Sequence, residues 1–538
     1  MPKGSVAPMS HRVMNLAHIL RQNARRFGER PGLIWGERQW TWAEMDAAVS
    51  ALATGLAARG IGRGDRVLVH SRNCAQMFWS MFAAFRLGAV WVPTNFRLLP
   101  DEVAQLAMAS GAKAFLCHAD FPDHAKVVSA ASPSLEFLWQ MEGAATFFGE
   151  TSVAQVIVGH AHAAMADAPV DHDDPCWFFF TSGTTGRSKA AVLTHGQMAF
   201  VITNHLADLM PGTDERDMSL VVAPLSHGAG VHQLVQAARG VATILLPSER
   251  FDIEEAFRLI AQYRVTNLFT VPTILKMLAE HPGCGRHDHS SLRYIIYAGA
   301  PMYREDQKIA LKNLGPVLVQ YFGLGEVTGN ITVLPPALHT PEDGPHARIG
   351  TCGFERTGMQ VSIQDDAGAE LEPLQTGEIC VIGPAVFAGY YDNPEANEKA
   401  FRNGWFRTGD LGHMDAQGFV YITGRASDMY ISGGSNIYPR EIEEKILAHP
   451  AIAEVAVLGV PDAMWGEIGV AVCVLRETAL VGETELAEFL AEKIARYKMP
   501  RRFFFFDALP KSGYGKVPKR LVRDELEARG LVESTARP

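Results

Sequence analysis

Between about Asn15 and Val333, short apolar runs alternate with longer stretches whose apolar positions recur every three or four residues. Val67-Leu68-Val69, Ala89-Val90-Trp91-Val92, Ala114-Phe115-Leu116 and Leu220-Val221-Val222 read as buried strands. Thr243-Ile244-Leu245-Leu246, Leu268-Phe269-Thr270-Val271 and Tyr294-Ile295-Ile296-Tyr297 read the same way. Ile253, Ala256, Phe257 and Ile260 fall at i, i+3, i+4 and i+7, one face of a helix that Asp252 is placed to cap. This β–α alternation predicts a largely parallel sheet covered by helices on both faces, with ligands where strand carboxyl ends give way to loops.

After Gly350 the pattern shortens. Gln360-Val361-Ser362-Ile363 and Glu378-Ile379-Cys380-Val381-Ile382 are separated by Gly, Asp and Pro turns, which predicts a small antiparallel β-subdomain over about 345–424. Beyond Gly424 a third texture begins: a helix Arg440 to Leu447 opened by Pro439, strands at Val455–Leu458 and Val470–Val472, a helix from about Glu483 to Arg496, and a strand Phe503–Phe505. The expected fold is α/β: a large N-terminal region over 1–424, then a small, mobile α+β lid over 425–538.

Composition narrows the class. A chain of 538 residues exceeds what one core supports, and 47% hydrophobic with 20% charged residues is ordinary for a globular protein. A net charge of −10 argues against a nucleic-acid partner or a basic membrane surface. Seven scattered cysteines with no C-x-x-C pair suit a reducing compartment and neither a disulfide framework nor a zinc site. There is no signal core at Met1–Ser10, no apolar run long enough to span a bilayer, and no peroxisomal ending at Thr535-Ala536-Arg537-Pro538. The expectation is a soluble, cytoplasmic protein.

Candidate chemistry gathers at strand-to-loop positions. Trp177-Phe178-Phe179-Phe180 leads into Thr181-Ser182-Gly183-Thr184-Thr185-Gly186-Arg187-Ser188-Lys189. Its glycines let backbone N–H groups turn toward an anion, its hydroxyls add donors, and Lys189 brings a mobile positive charge suited to a polyphosphate. The spacing is not that of a Walker loop. His227 lies among small residues in Ser226-His227-Gly228-Ala229-Gly230, and Ala298-Gly299-Ala300 would let a flat ring lie on backbone. Gln320-Tyr321-Phe322-Gly323-Leu324-Gly325-Glu326 ends in a carboxylate suited to Mg²⁺ beside phosphate oxygens. Asp410 closes Trp405-Phe406-Arg407-Thr408-Gly409-Asp410 and is a candidate for ribose hydroxyls. Pro510-Lys511-Ser512-Gly513-Tyr514-Gly515-Lys516 is a glycine loop with two lysines.

In this order the motifs resemble those of the adenylate-forming superfamily: acyl- and aryl-CoA synthetases, peptide-synthetase adenylation domains and firefly luciferase. The resemblance runs from Asn15 to about Arg523. It implies activation of a carboxylic acid by ATP and Mg²⁺ to an acyl-AMP, then thioester formation on coenzyme A. It implies that Thr181 to Lys189 hold the phosphates, that Ala298, Gly299, Ala300, Phe322 and Ile422 frame adenine, and that Glu326 and Thr185 bind Mg²⁺. Gln320, Tyr321, Gly323 and Leu324 complete the nucleotide segment. Asp410 and Arg425 would take the ribose or phosphate, Lys516 would be the catalytic lysine, and His227 would line the passage where acyl group and thiol meet. Gly434 and Trp465 would serve CoA after the lid turns about a hinge near Ser427.

Three positions depart from the family's pattern. Phe322 stands for the usual Tyr, Gly325 for Thr, and Ser427 for the hinge Asp or Lys. With no hydroxyl at Gly325, the backbone or Thr328 is left to meet the α-phosphate. Small residues at Gly228, Ala229, Gly230, Ala298, Gly299 and Gly325, with no Arg or Lys in those segments, point to an apolar, medium-size aliphatic or aromatic monocarboxylic acid. An acyl-AMP ligase loading a carrier protein and a non-catalytic binding relative are the alternatives. Oligomeric state, a homodimer included, stays open.

Overall fold

The computed structural model describes residues 12–143, 151–182, 188–247, 251–300, 302–344, 347–425, 427–432, 435–462, 464–477, 479–511 and 517–532. The fold is α/β, a large N-terminal part built on two sheets and a smaller C-terminal part with its own. One body sheet has six strands in the order Phe137–Met141, Ala114–His118, Arg66–His70, Val90–Thr94, Pro175–Ser182, Ser188–Thr194, parallel but for the last pair.

The other starts at the edge strand Arg38–Thr41, antiparallel to Pro31–Trp35, and continues in parallel through Ala242–Leu245, Met218–Val221, Asn267–Thr270, Tyr294–Tyr297 and Leu318–Phe322. The apolar runs form strands because both faces are covered, as parallel strands require. The helix Ile253–Tyr263 starts where expected: Asp252 accepts from Glu255 N at 3.1 Å, and Ala256, Phe257 and Ile260 are buried.

The β-rich stretch does not stand apart from this sheet. Thr332–Leu334 pairs antiparallel with Leu318–Phe322 and with Thr351–Glu355, so the later strands extend one sheet to fourteen. Its end at Phe419–Arg425 hands the chain to the C-terminal part, where Tyr430–Ser432 opens a five-stranded sheet. There the helix expected to reach Arg496 stops at Ala491 and is followed by a 3₁₀ turn, Arg496–Lys498. Pro500 lies just beyond, and a proline bars the residues before it from continuing a helix.

The core between the body sheets is aromatic, with Trp42, Trp91 and Trp177 fully buried and the last two in edge contact at 4.6 Å. All seven cysteines are buried and unpaired. Among the described residues, no helix is long and apolar enough to cross a membrane.

Candidate active site

The two body sheets meet where Pro175–Ser182 turns back as Ser188–Thr194, placing Thr181 opposite Lys189. The turn itself, with Gly183, Thr184, Thr185 and Gly186, lies outside the described residues, as do Gly434, Lys516 and the side chain of Ser182. A distant segment completes the edge. Val192 N donates to Gly389 O and Tyr391 N to Ala190 O, both at 2.9 Å, which lays Tyr390 beside Ala191.

Glu326 arrives from the other sheet, on the 3₁₀ turn Gly325–Val327 after Leu318–Phe322. Its Oε1 accepts from Thr181 Oγ1 at 3.0 Å and from Tyr390 Oη at 2.8 Å. Both hydroxyls converge on one oxygen, which orients the carboxylate and leaves Oε2 the oxygen not taken by a described residue. The residue is only 5% exposed. Burial, then the neighbouring Glu326, pushes the Tyr390 hydroxyl far above its ordinary value, so it stays a donor across neutral pH. Lys189 Nζ lies 5.0 Å from the Tyr390 ring centre. Tyr390 was invisible to motif reading; a Gly-Tyr-Tyr loop carries no signal until strand Ser188–Thr194 is known to pair with it.

Asp410 and Arg425 face each other across neighbouring strands, Arg425 Nε donating to Asp410 Oδ1 at 3.1 Å. Ile422 is half-buried on the same strand. Gly299 sits at φ +85°, a conformation that favours glycine, and with Ala300 it is exposed beyond the strand ending at Tyr297, while Ala298 is buried. Gln320 points inward: its Oε1 accepts from Tyr297 Oη at 3.0 Å. Tyr321 takes the opposite face of the strand and stacks on Phe269, with ring centres 6.0 Å apart. Phe322 and Leu324 are half-buried against the core. Gly323 backs directly onto the backbone of Gly329, closing the loop on itself.

His227 caps the helix Gly228–Ala238, its ring edge-on to Phe179 at 5.0 Å and its Nδ1 3.1 Å from Ser226 Oγ. Trp465 lies in the C-terminal part, 43% exposed, with the Arg501 guanidinium 5.5 Å from its ring. Ser427 is exposed, and its hydroxyl bonds only its neighbour Asp428, at 3.3 Å, among the described residues.

Three of the small residues pack closely: a Cβ on Gly228 would lie 2.7 Å from the Phe269 ring, one on Gly230 2.0 Å from the Leu225 carbonyl oxygen and 2.9 Å from Trp177, and one on Gly325 2.6 Å from the Phe179 ring, whereas one on Gly299 would meet nothing nearer than Val271, at 3.9 Å.

The AMP-binding enzyme family profile matches residues 20–391, and that of the AMP-binding enzyme C-terminal domain matches 441–516. The chain belongs to the AMP-binding enzyme family. A feruloyl-CoA synthase from an Amycolatopsis species is 37% identical, over 90% of this chain and 93% of its own. Long-chain-fatty-acid–CoA ligase FadD13 of Mycobacterium tuberculosis is 34% identical, over 91% and 93%. The solved structure of o-succinylbenzoate CoA synthetase from Bacillus subtilis with its acyl-adenylate intermediate matches at a TM-score of 0.82 and 30% identity, over 95% of this chain and 97% of that one.

Proposed function

We propose that this AMP-binding enzyme is an AMP-forming carboxylate–CoA ligase acting on an aromatic or medium-length monocarboxylic acid. The convergence of Thr181, Tyr390 and Lys189 around Glu326 carries the reading, because three remote segments build one polar edge suited to a polyphosphate. Phe179, Phe269 and Tyr321 support an aromatic acid beside it, as does the feruloyl-CoA relative.

In the first step the acid's carboxylate attacks the α-phosphorus of ATP and pyrophosphate leaves; in the second the CoA thiol attacks the acyl carbon and AMP leaves. Lys516 offsets the charge that gathers on the α-phosphate, and Lys189 with its loop holds the β- and γ-phosphates. Asp410 accepts from ribose hydroxyls and is held in place by Arg425. Ala298, Gly299, Ala300, Phe322 and Ile422 frame adenine, while His227 borders the acyl carbon. A buried carboxylate with one oxygen open fits a hard divalent ion, so Glu326, with Thr185, would hold Mg²⁺. When bound, that ion neutralises polyphosphate charge.

The body over 1–424 and the lid over 425–538 turn about Ser427, so that Lys516 serves the first step and Gly434 and Trp465 the second. The change of sheet between Arg425 and Tyr430 supports that hinge. Seven buried, unpaired thiols suit a cytoplasmic site of action.

The test is a coupled assay with ATP, Mg²⁺ and CoA across acetate, hexanoate, octanoate, benzoate and cinnamate, products read by mass spectrometry. Acyl-CoA with AMP is expected, with cinnamate or octanoate above acetate, and Lys516→Ala abolishes acyl-AMP formation. Acyl-AMP that persists despite CoA would move the reading to a carrier-loading ligase.

A further inference from the structure

Lys189 and Glu326 come from different sheets, and two pieces of chain span the gap. Thr181, opposite Lys189 in its hairpin, is one, through its hydroxyl on Glu326 Oε1. The stretch from Phe387 to Tyr391 is the other. Toward one sheet it pairs with the strand Ser188–Thr194: Ala388 N donates to Val192 O at 3.1 Å, and Val192 N to Gly389 O and Tyr391 N to Ala190 O, both at 2.9 Å. Toward the other, Phe387 N donates to Glu326 O and Tyr390 Oη to Glu326 Oε1, both at 2.8 Å. The backbone and the carboxylate of one glutamate are thus gripped by the same stretch.

Tyr390 is fixed from behind. Asn397, on the helix Pro394–Ala400, gives its whole amide to the Tyr390 backbone, Oδ1 accepting from Tyr390 N at 2.7 Å and Nδ2 donating to Tyr390 O at 3.0 Å. Gly389, at φ +119°, makes room for that amide, since a Cβ there would stand 3.1 Å from Asn397 Oδ1. Phe387 meets the Tyr390 ring edge-on at 4.8 Å, and Phe401 stacks on Phe387 in turn. The hydroxyl end of the fixed ring lies on Glu326, and Lys189 Nζ lies over its face at 5.0 Å. An ammonium on a four-carbon stem has many rotamers, and a ring face beneath it favours one. The hydroxyl keeps its proton at neutral pH, because burial and Glu326 both oppose its loss, so Tyr390 orients charge and transfers none.

Resting on the ligase reading, we propose that Tyr390, pinned by Asn397, is a positioning residue that sets Lys189 and Glu326 in register for one triphosphate, its ring serving the ammonium and its hydroxyl the carboxylate. No bond is made or broken at Tyr390. Its effect falls on acyl-AMP formation, the half-reaction that handles a triphosphate.

Two substitutions separate the two arms: Tyr390→Phe removes the hydroxyl and keeps the ring, and Tyr390→Leu removes both. ATP binding without acid is measured by calorimetry in Mn²⁺ and in EDTA. Single-turnover acyl-AMP formation and thioester formation from supplied acyl-AMP are followed separately. Tyr390→Phe weakens ATP binding in Mn²⁺ by about tenfold and in EDTA by less than about twofold. Tyr390→Leu weakens both, by about threefold or more in EDTA. In both variants acyl-AMP formation falls at least about fivefold further than thioester formation, and Asn397→Ala moves the same quantities in the same direction. Affinity in Mn²⁺ within about twofold of wild type for Tyr390→Phe overturns the proposal. So do equal losses in the two half-reactions, which a merely loosened fold would give, and an equal loss with and without metal in Tyr390→Phe. A wild type that forms acyl-AMP in those cases keeps the ligase reading standing; one that forms none with any acid overturns that reading and this one with it.

Discussion

The loop from Phe322 to Asn330 carries two buried polar side chains held on opposite plans. At Glu326 the side chain is over-determined, with hydroxyls from Thr181 and Tyr390 on a single oxygen. At Asn330, four residues on, an entire amide is buried without a partner among the described residues. Chemistry shared across a family calls for groups fixed in advance, since preorganised dipoles need no rearrangement in the transition state.

The sharpest way to break this contrast is through Arg356, which bonds the Gly329 carbonyl beside Asn330 and pairs with Asp208. Arg356→Met leaves Asp208 largely buried without its cation, a change expected to destabilise the fold by about 3–5 kcal/mol. Urea or thermal unfolding would show it, and adding Asp208→Leu should recover part of the stability. An unfolding midpoint that does not move would mean Arg356 is dispensable there. At the other end, Glu326→Gln keeps shape and both hydroxyl contacts but removes charge. It should lower kcat/KM by roughly 10²–10³ at fixed Mg²⁺ with little change in unfolding midpoint. Activity within tenfold of wild type would refute the metal role.

Acid should loosen the body. His205 packs on Tyr321 and His232 on Phe269, and burial holds His232 at about 4 and His205 well below its ordinary 6.5. His195 and His339, elsewhere in the body, are likewise pushed down to about 4 by burial. Each binds a proton on unfolding that it does not bind when folded. The stability they contribute is therefore complete above about pH 6.5 and lost as pH falls from there through about 4, by about 1.4 kcal/mol per pH unit per histidine. Urea midpoints should fall between pH 7 and pH 5, and His232→Asn should flatten the slope. Equal midpoints at the two values would show these histidines are not held neutral.

Much of the scaffold was legible because it follows from local rules. Apolar runs bounded by turn residues gave the parallel strands, and Asp252 with its i, i+3, i+4 pattern gave a capped helix. The meeting of Thr181 with Glu326 brings together two segments that glycine and hydroxyl spacing had each singled out. Tyr390, Arg356 and Asn330 were not, since each matters only through what lies opposite: Tyr390 reaches Glu326 across 64 residues, and Arg356 meets His205 across 151.

Gly325 offers the smallest of the tests. A threonine there is what most of the family carries, and its hydroxyl would reach the α-phosphate. Its Cβ would stand 2.6 Å from the Phe179 ring and 3.1 Å from the Thr181 methyl, so the ring must move before the hydroxyl can help. Phe179 in turn packs on His227, so displacing it disturbs that ring as well. Gly325→Thr alone should cost about 1–3 kcal/mol, the usual range for overpacking, seen as a lower unfolding midpoint and a fall in kcat/KM. Phe179→Ala alone leaves a cavity and should also destabilise. Together the two should do less harm than their sum, with a coupling of about 0.5–3 kcal/mol in a double-mutant cycle. Strict additivity would mean the ring and the glycine are not exchanging space, and the absent hydroxyl would then need another explanation than Phe179.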